Sequence, residues 1–291
     1  MEAFATTAEP ALDERDIRLV ANAMRLDIIN MLERSKSGHP GGSLSVVDAL
    51  ATLFFSGVME YDREDPEDHE GDRFFLSKGH AAPALYAAYH QLGWLSDEDM
   101  LTLRQLGSKL QGHPDRHACP GVEVCSGSLG QGLSVASGCA LGLRMDGSPH
   151  HVFVLCGDGE MQEGSNWEAL MFAASRHLGN LTLLLDLNNL QIDGTIDEVC
   201  SLGDVDAKLG AFGWQVQHLN GHDVPALYDA LMASRESGDV PQAIVMDTIK
   251  GKGVSYMENQ VGWHGAAPNA EQAQVARDEL AAERERILKE A

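Results

Sequence analysis

Apolar side chains at Ile17, Val20, Ala21, Met24, Ile28, Met31 and Leu32 recur at the three- and four-residue spacing that gathers them on one face of an α-helix. Asp13 stands just ahead of this run, where an N-cap carboxylate accepts from the first unpaired amides. Helical spacing returns over residues 46–55 and 81–92 and again from Ser96, where Ser96 and Asp99 have the spacing of a capping box. The first third of the chain is therefore expected to be helical, with no convincing strand. Past position 150 the pattern changes. Short apolar runs at 152–156, Leu181–Leu187, 215–219 and 243–248 alternate with helical stretches. That alternation predicts βαβαβαβ: an α/β fold with a parallel sheet, helices on both of its faces, and ligands at the carboxyl ends of the strands.

Two stretches fall outside this rhythm. Residues 60–73 are acidic and poor in apolar side chains, and residues 270–291 form a charged helical pattern of Ala, Glu and Arg; both are read as solvated surface. Residues 255–269, rich in Gly, Asn and Pro, are expected to fold over a site rather than to separate domains, so 1–291 is read as one domain. The chain is 44% hydrophobic and 22% charged, which gives ample material for a core. Its formal charge of −23 argues against a nucleic-acid backbone or an anionic membrane as partner. An anionic ligand then needs a metal or locally placed cations. No apolar run approaches a membrane span, and Met1-Glu2-Ala3-Phe4 lacks a basic leader, so a cytoplasmic location is expected. The five cysteines, Cys119, Cys125, Cys139, Cys156 and Cys200, have no CxxC spacing and are expected to be reduced and mostly buried.

Candidate chemistry concentrates at three places. Gly157-Asp158-Gly159 follows the run 152–156 directly, and Asn188-Asn189 follows Leu181–Leu187. If those strands are neighbours, the Asp158 carboxylate and the Asn188 amide oxygen are hard ligands for Mg2+, with a diphosphate completing the shell and the following helix offering its N-terminus. A tight strand-to-helix turn is the plainer alternative for the Gly-Asp-Gly alone. The second place is four histidines in Gly-flanked loops, His39, His80, His113 and His264, out of twelve in the chain. Together they point to a pocket that holds polar oxygens and moves protons near neutral pH. The other eight, His69, His90, His117, His150, His151, His177, His218 and His222, are read as surface or core. The third is Ser126-Gly127-Ser128-Leu129-Gly130-Gln131-Gly132, which opens a small-residue helical stretch toward Leu143 and suits close approach of either a flat ligand or another helix.

These residues together resemble the transketolase family, in its N-terminal, diphosphate-binding half, from the helix near Asp13 to about Pro268. Residues 157–164 (GDGEMQEG) followed by 186–194 (DLNNLQIDG) are similar to that family's thiamine-diphosphate signature, and SGHPGGSLS, LSKGHAAPALY, GHPD and PGVEVCSGSLGQG fall in its order. The resemblance implies thiamine diphosphate with Mg2+ (or Ca2+) held by Asp158, Asn188 and the main-chain carbonyl of Leu190. It implies Gly157, Gly159, His80 and His264 near the diphosphate, Leu129 and Ile192 flanking the thiazolium ring, and Gly127 with Ser128 near the aminopyrimidine. His39, His80, His113 and His264 would line a sugar channel and serve catalysis, and Glu163 and Glu168 would lie near a subunit interface. Ser128 stands where many members have proline, and Leu187 and Asn189 replace more polar residues; neither change removes a ligand.

The implied activity is ketol transfer in carbohydrate metabolism, such as the pentose phosphate pathway, between sugar phosphates. The family's pyrimidine-binding domain is not recognisable here. The expectation is thus an N-terminal subunit of a split transketolase, active with a C-terminal partner subunit as a heterotetramer of two chains of each kind. A 2-oxoacid dehydrogenase-type subunit shares the Gly-Asp-Gly-to-Asn signature, although the four histidine loops weigh against it. A non-catalytic chain that merely retains the cofactor site is the alternative from another class.

Overall fold

The computed structural model describes residues 12–290 apart from His69; Met1-Glu2-Ala3-Phe4 and His69 lie outside the described residues. The chain opens with helix α1 (Glu14–Ser35), whose N-cap Asp13 accepts from Asp16 N at 2.9 Å. Short helix α2 (Pro40–Leu44) and wholly buried α3 (Val47–Phe55) follow. Strand β1 (Arg73–Leu76) then enters the sheet, before α4 (Ala82–Gln91) and α5 (Asp97–Met100). Ser96 and Asp99 form the expected capping box, with reciprocal bonds of 3.2 and 3.1 Å.

The second part begins with α6 (Gly132–Met145), β2 (Val152–Gly157), α7 (Gly164–Ser175) and β3 (Leu181–Leu187). A small hairpin of β4 (Leu190–Gln191) and β5 (Gly194–Thr195) leads into α8 (Ile196–Cys200) and α9 (Val205–Ala211). Then come β6 (Gln215–Asn220), α10 (Val224–Arg235), β7 (Gln242–Asp247) and α11 (Ala270–Lys289).

The main sheet is parallel throughout and runs β1-β2-β3-β7-β6. Alternate residues of its central strands feed two cores. Phe153, Leu155, Leu184 and Ile244 pack with α1, α3 and α4 residues such as Ile28, Leu50 and Leu85. Val154, Leu183, Leu185 and Val245 pack on the opposite face with Leu133, Leu170 and Trp214. Helices cover both faces, as the alternating pattern requires.

Four expectations need correction. The first third does contain a strand: β1 pairs in register with β2, and its four residues are all buried. A run that short, sitting after an acidic stretch, has no period to reveal it. Residues 60–73 are not simply solvated, because Asp72 is 3% exposed and accepts from His151 N and Glu60 N at 2.7 and 2.8 Å. Helix α11 buries Ala273, Ala276, Leu280 and Ile287, a stripe that lies against α1. Of the cysteines, Cys119 and Cys156 are buried, Cys139 is half-buried, and Cys125 and Cys200 are exposed.

Candidate active site

Strands β2 and β3 are neighbours, with Gly157 opposite Asp186, so their carboxyl ends deliver Asp158 and Asn188 to one place. Gly157 closes the strand, and the N-terminus that follows Asp158 directly is that of a short 3-10 helix, Gly159–Gln162, which separates it from α7. Asp158 Oδ1 accepts from Gly159 N at 2.7 Å and Oδ2 from Asn189 N at 2.5 Å. Asn189 takes φ 61°, and beyond this left-handed turn Leu190 N donates to Asn188 Oδ1 at 3.1 Å. The Asp158 carboxylate, the Asn188 amide and the Leu190 carbonyl are thereby held about a single tight bend.

Asp158 is 2% exposed. Burial, reinforced by the charge of Asp186, pushes its carboxyl up to about 6. A buried carboxylate with an amide and a main-chain oxygen beside it is a donor set that fits Mg2+. A cation already sits at this bend: the Lys250 ammonium donates to Leu190 O at 2.8 Å.

Two lysines beneath the bend escaped sequence reasoning. Lys78 is 1% exposed and forms an ion pair with Asp186, which also accepts from Ser45 Oγ at 2.8 Å, Asn188 Nδ2 at 2.9 Å and the Thr248 hydroxyl. Burial works to raise the Asp186 carboxyl, but the Lys78 charge and these donors hold it below its usual range. Lys250 is 2% exposed, and burial, then the charge of Lys78, brings its ammonium down to about 8. Its turn is tied by His222, read from sequence as a bland residue: Ile249 N donates to His222 Nε2 at 2.9 Å while Nδ1 meets Asp48 Oδ2 at 2.7 Å. Asp48 in turn binds Arg25 Nη2 at 2.6 Å. Lys78 and Asp186 stand inside LSKGHAAPALY and DLNNLQIDG without being singled out there, and only the fold shows that they pair.

The four Gly-flanked histidines come together. His39 lies 5.5 Å from His80, 6.1 Å from His113 and 5.6 Å from His264 between ring centroids, and His80 stacks on His264 at 5.2 Å. Gly42 makes room for this, since a Cβ there would stand 3.0 Å from His80 Nε2. Arg104, a further residue missed from sequence, sets one ring: its Nη2 lies 3.2 Å from His39 Nδ1 and its Nη1 donates to Ser37 Oγ at 2.9 Å. Guanidinium only donates, so His39 Nδ1 accepts and the proton resides on Nε2. Lys250 imposes the same tautomer on His264 through a 3.0 Å contact to Nδ1.

Proton transfer near neutral pH needs one correction. Burial, followed by the charge of Arg104, lowers His39 to about 4; burial with Lys250 lowers His264 to about 3. His80 and His113 are also lowered, first by burial and then by Lys78 and Arg104 respectively. At pH 7 the cluster is uncharged and offers N–H donors toward oxygen, while the adjacent cations carry the charge. An anionic ligand would relieve that depression.

Gly127, at φ 145°, lies against His113, where a Cβ would come within 3.3 Å of the ring. Ser128 is exposed and Leu129 half-buried, so their side chains remain available at the mouth of the site. The wall behind them is Glu160, 2% exposed, whose Oε1 accepts from Gly130 N at 2.9 Å and whose Oε2 accepts from Gly157 N at 3.1 Å. Glu160 therefore joins the glycine strip to the strand end. Ile192 is 66% exposed on the β4–β5 hairpin. Glu163 and Glu168 are exposed at the start of α7.

The family model for the thiamine-diphosphate-binding domain of transketolase matches residues 17–288. The chain belongs to the transketolase family. It is 39% identical over 91% of its length to a 6-deoxy-6-sulfo-D-fructose transketolase subunit of Clostridium sp. (strain MSTE9), covering 96% of that protein. It is 38% identical over 94% of its length to an apulose-4-phosphate transketolase subunit of Phocaeicola vulgatus, covering 97% of it. Its structure matches the transketolase of Campylobacter jejuni at a TM-score of 0.87 and 31% identity, over 95% of this chain but 46% of that one. The chain thus spans nearly all of the two subunit relatives and under half of the Campylobacter chain. It is a transketolase N-terminal, thiamine-diphosphate-binding chain, and so a component of a transferase; the 2-oxoacid dehydrogenase alternative falls away. Among the described residues no helix is long and apolar enough to cross a membrane.

Proposed function

We propose that this chain is the diphosphate-holding subunit of a two-chain transketolase that moves a two-carbon glycolaldehyde unit from a ketose to an aldose. The observation that carries the reading is the junction made by Lys250, whose ammonium touches both the oxygen-lined bend at Leu190 and the histidine cluster at His264. Asp158, Asn188 and the Leu190 carbonyl would hold Mg2+. Gly157, Gly159, His80 and His264, with Lys78 and Lys250, would receive the diphosphate. Leu129 and Ile192 would flank the thiazolium, with Gly127 and Ser128 beside the aminopyrimidine. Bound there, thiamine diphosphate supplies the nucleophilic carbon needed to break and make the C–C bond.

The chain's own part is to orient and to move protons. Donation from Nε2 of His39 and His264 would fix sugar oxygens, His113 would close the channel, and His80 would complete it on the diphosphate side. The names of the two subunit relatives carry a sulfo group in one case and a phosphate in the other. An anionic sugar is accordingly the substrate class we assign. Residues 1–291 would act as one domain in the cytoplasm, within a heterotetramer that pairs each chain with a subunit bearing the pyrimidine-binding domain.

Exposed apolar side chains support that assembly. Val135 on α6 and Met171 and Phe172 on α7 are 44%, 60% and 36% exposed, and Gly138 and Gly142 of α6 face open space. The direct test is ketol transfer by the purified chain with saturating cofactor and Mg2+. Turnover should be negligible alone and restored by the C-terminal partner; robust turnover alone would refute the split enzyme.

A further inference from the structure

The loop between His113 and Gly127 leaves the histidine cluster and returns to it. Its ends are joined by Ser126 N donating to Pro114 O at 3.2 Å, and Asp115 O turns the chain by accepting from Ala118 N and Cys119 N at 3.1 and 3.0 Å. The far side is anchored in the core: Cys119 is 1% exposed, and Tyr89 donates its hydroxyl to Gly121 O at 2.5 Å. On the outer side this fixed backbone presents Asp115, His117 and Cys125, whose ligating atoms all lie within 4.8 Å of one another. The Cys125 thiol donates to Asp115 Oδ1 at 3.2 Å, and His117 N donates to the same oxygen at 2.9 Å.

We propose that Asp115, His117 and Cys125 form a binding site for a borderline-soft divalent cation of the Zn2+ class. The donor set selects the metal. Sulfur and imidazole nitrogen beside a single carboxylate suit Zn2+ or Co2+, whereas Mg2+ and Ca2+ require oxygen shells. Tetrahedral Zn2+ with bonds of about 2.0–2.3 Å places its ligand atoms roughly 3.5 Å apart. The trio therefore closes by about an ångström, which rotation of the exposed His117 and Cys125 side chains supplies. As the metal–sulfur bond forms, the Cys125 thiol proton passes to solvent. Three protein ligands leave one position for water. The chain's charge of −23 favours any cation at this surface. An ion here would tie together the two loop ends that set His113 and Gly127.

The test is a Co2+ titration of the full-length chain with saturating Mg2+ and thiamine diphosphate present, so that the oxygen-lined bend at Asp158 is already served. A stoichiometric thiolate-to-cobalt charge-transfer band should appear and be displaced by equimolar Zn2+. Cys125→Ser should abolish the band, Cys200→Ser should leave it, and His117→Ala and Asp115→Asn should each weaken Co2+ by roughly tenfold or more. Absence of the band, its survival in Cys125→Ser, or an affinity indifferent to both His117→Ala and Asp115→Asn overturns the proposal.

Discussion

Asp158 is a carboxylate whose ordinary tendency to ionise has been reduced by its surroundings. Burial and the neighbouring Asp186 leave its metal-free carboxyl at about 6, so a proton competes with any cation below that pH. Divalent-cation affinity should therefore fall by roughly tenfold per pH unit as pH drops below 6, and level off above it, in calorimetric titrations. Asp158→Ala should cost more than the roughly 10- to 100-fold typical of losing an outer-shell partner, and unchanged Mg2+-dependent cofactor affinity would remove Asp158 from the ligand set. His39→Ala and His113→Ala should instead reduce turnover of the assembled enzyme, by roughly 100- to 10,000-fold, while sparing cofactor affinity. Arg104→Gln takes a positive charge from beside His39. The His39 pKa then rises, and the acidic limb of the pH–rate profile should move to higher pH; an unmoved limb would detach Arg104 from this role. The histidines were legible in sequence because glycines flank them. Arg104 was not, since its neighbours Leu103 and Gln105 give no sign that it faces His39.

The segment that follows β7 carries as much of the site as the strand ends do. Thr248 bonds Asp186, Ile249 N bonds His222, Lys250 reaches Leu190 O, and His264 closes the segment by returning to Lys250. Residues 255–269 were expected to fold over a site, but the segment's partners lie far off in sequence, 62 positions for Thr248 with Asp186 and 227 for Lys252 O with Arg25 Nε, and no local pattern encodes such distances. The runs of β2, β3 and β7 were legible to within one residue because buried parallel strands are continuously apolar. The place of β7 between β3 and β6 was not, because sheet order depends on how helices pack across the faces. A divalent cation held as proposed would compete with the Lys250 ammonium for the Leu190 carbonyl. Lys250→Met should accordingly strengthen Mn2+ binding measured without diphosphate and weaken thiamine-diphosphate binding measured with it. A variant that weakens both would rule out the competition.

At the scale of the whole molecule, the two sheet faces differ in how their helices are finished. The α1, α3 and α4 side carries a further layer, with α11 packed over α1. The α6 and α7 side ends in Val135, Met171 and Phe172, which hydrophobic patterning of a single chain cannot distinguish from a loosely covered core. Met171→Glu should leave the isolated chain folded, by circular dichroism, and weaken its association with the partner subunit in sedimentation experiments. Retained association at wild-type affinity would place the interface elsewhere.

The two ammonium groups buried beneath the bend have a consequence for the life of the chain in a cell. Lys78 and Lys250 repel each other where the diphosphate would sit, and Asp186 forms its ion pair with Lys78. A ligand that binds the folded chain alone adds stability in proportion to the logarithm of its concentration, about 2.7 kcal/mol at a hundredfold excess over its dissociation constant. Chain made when the vitamin is scarce would open more often around 248–264 and meet proteases there. Abundance of the subunit would then follow thiamine supply after translation, without any dedicated regulator.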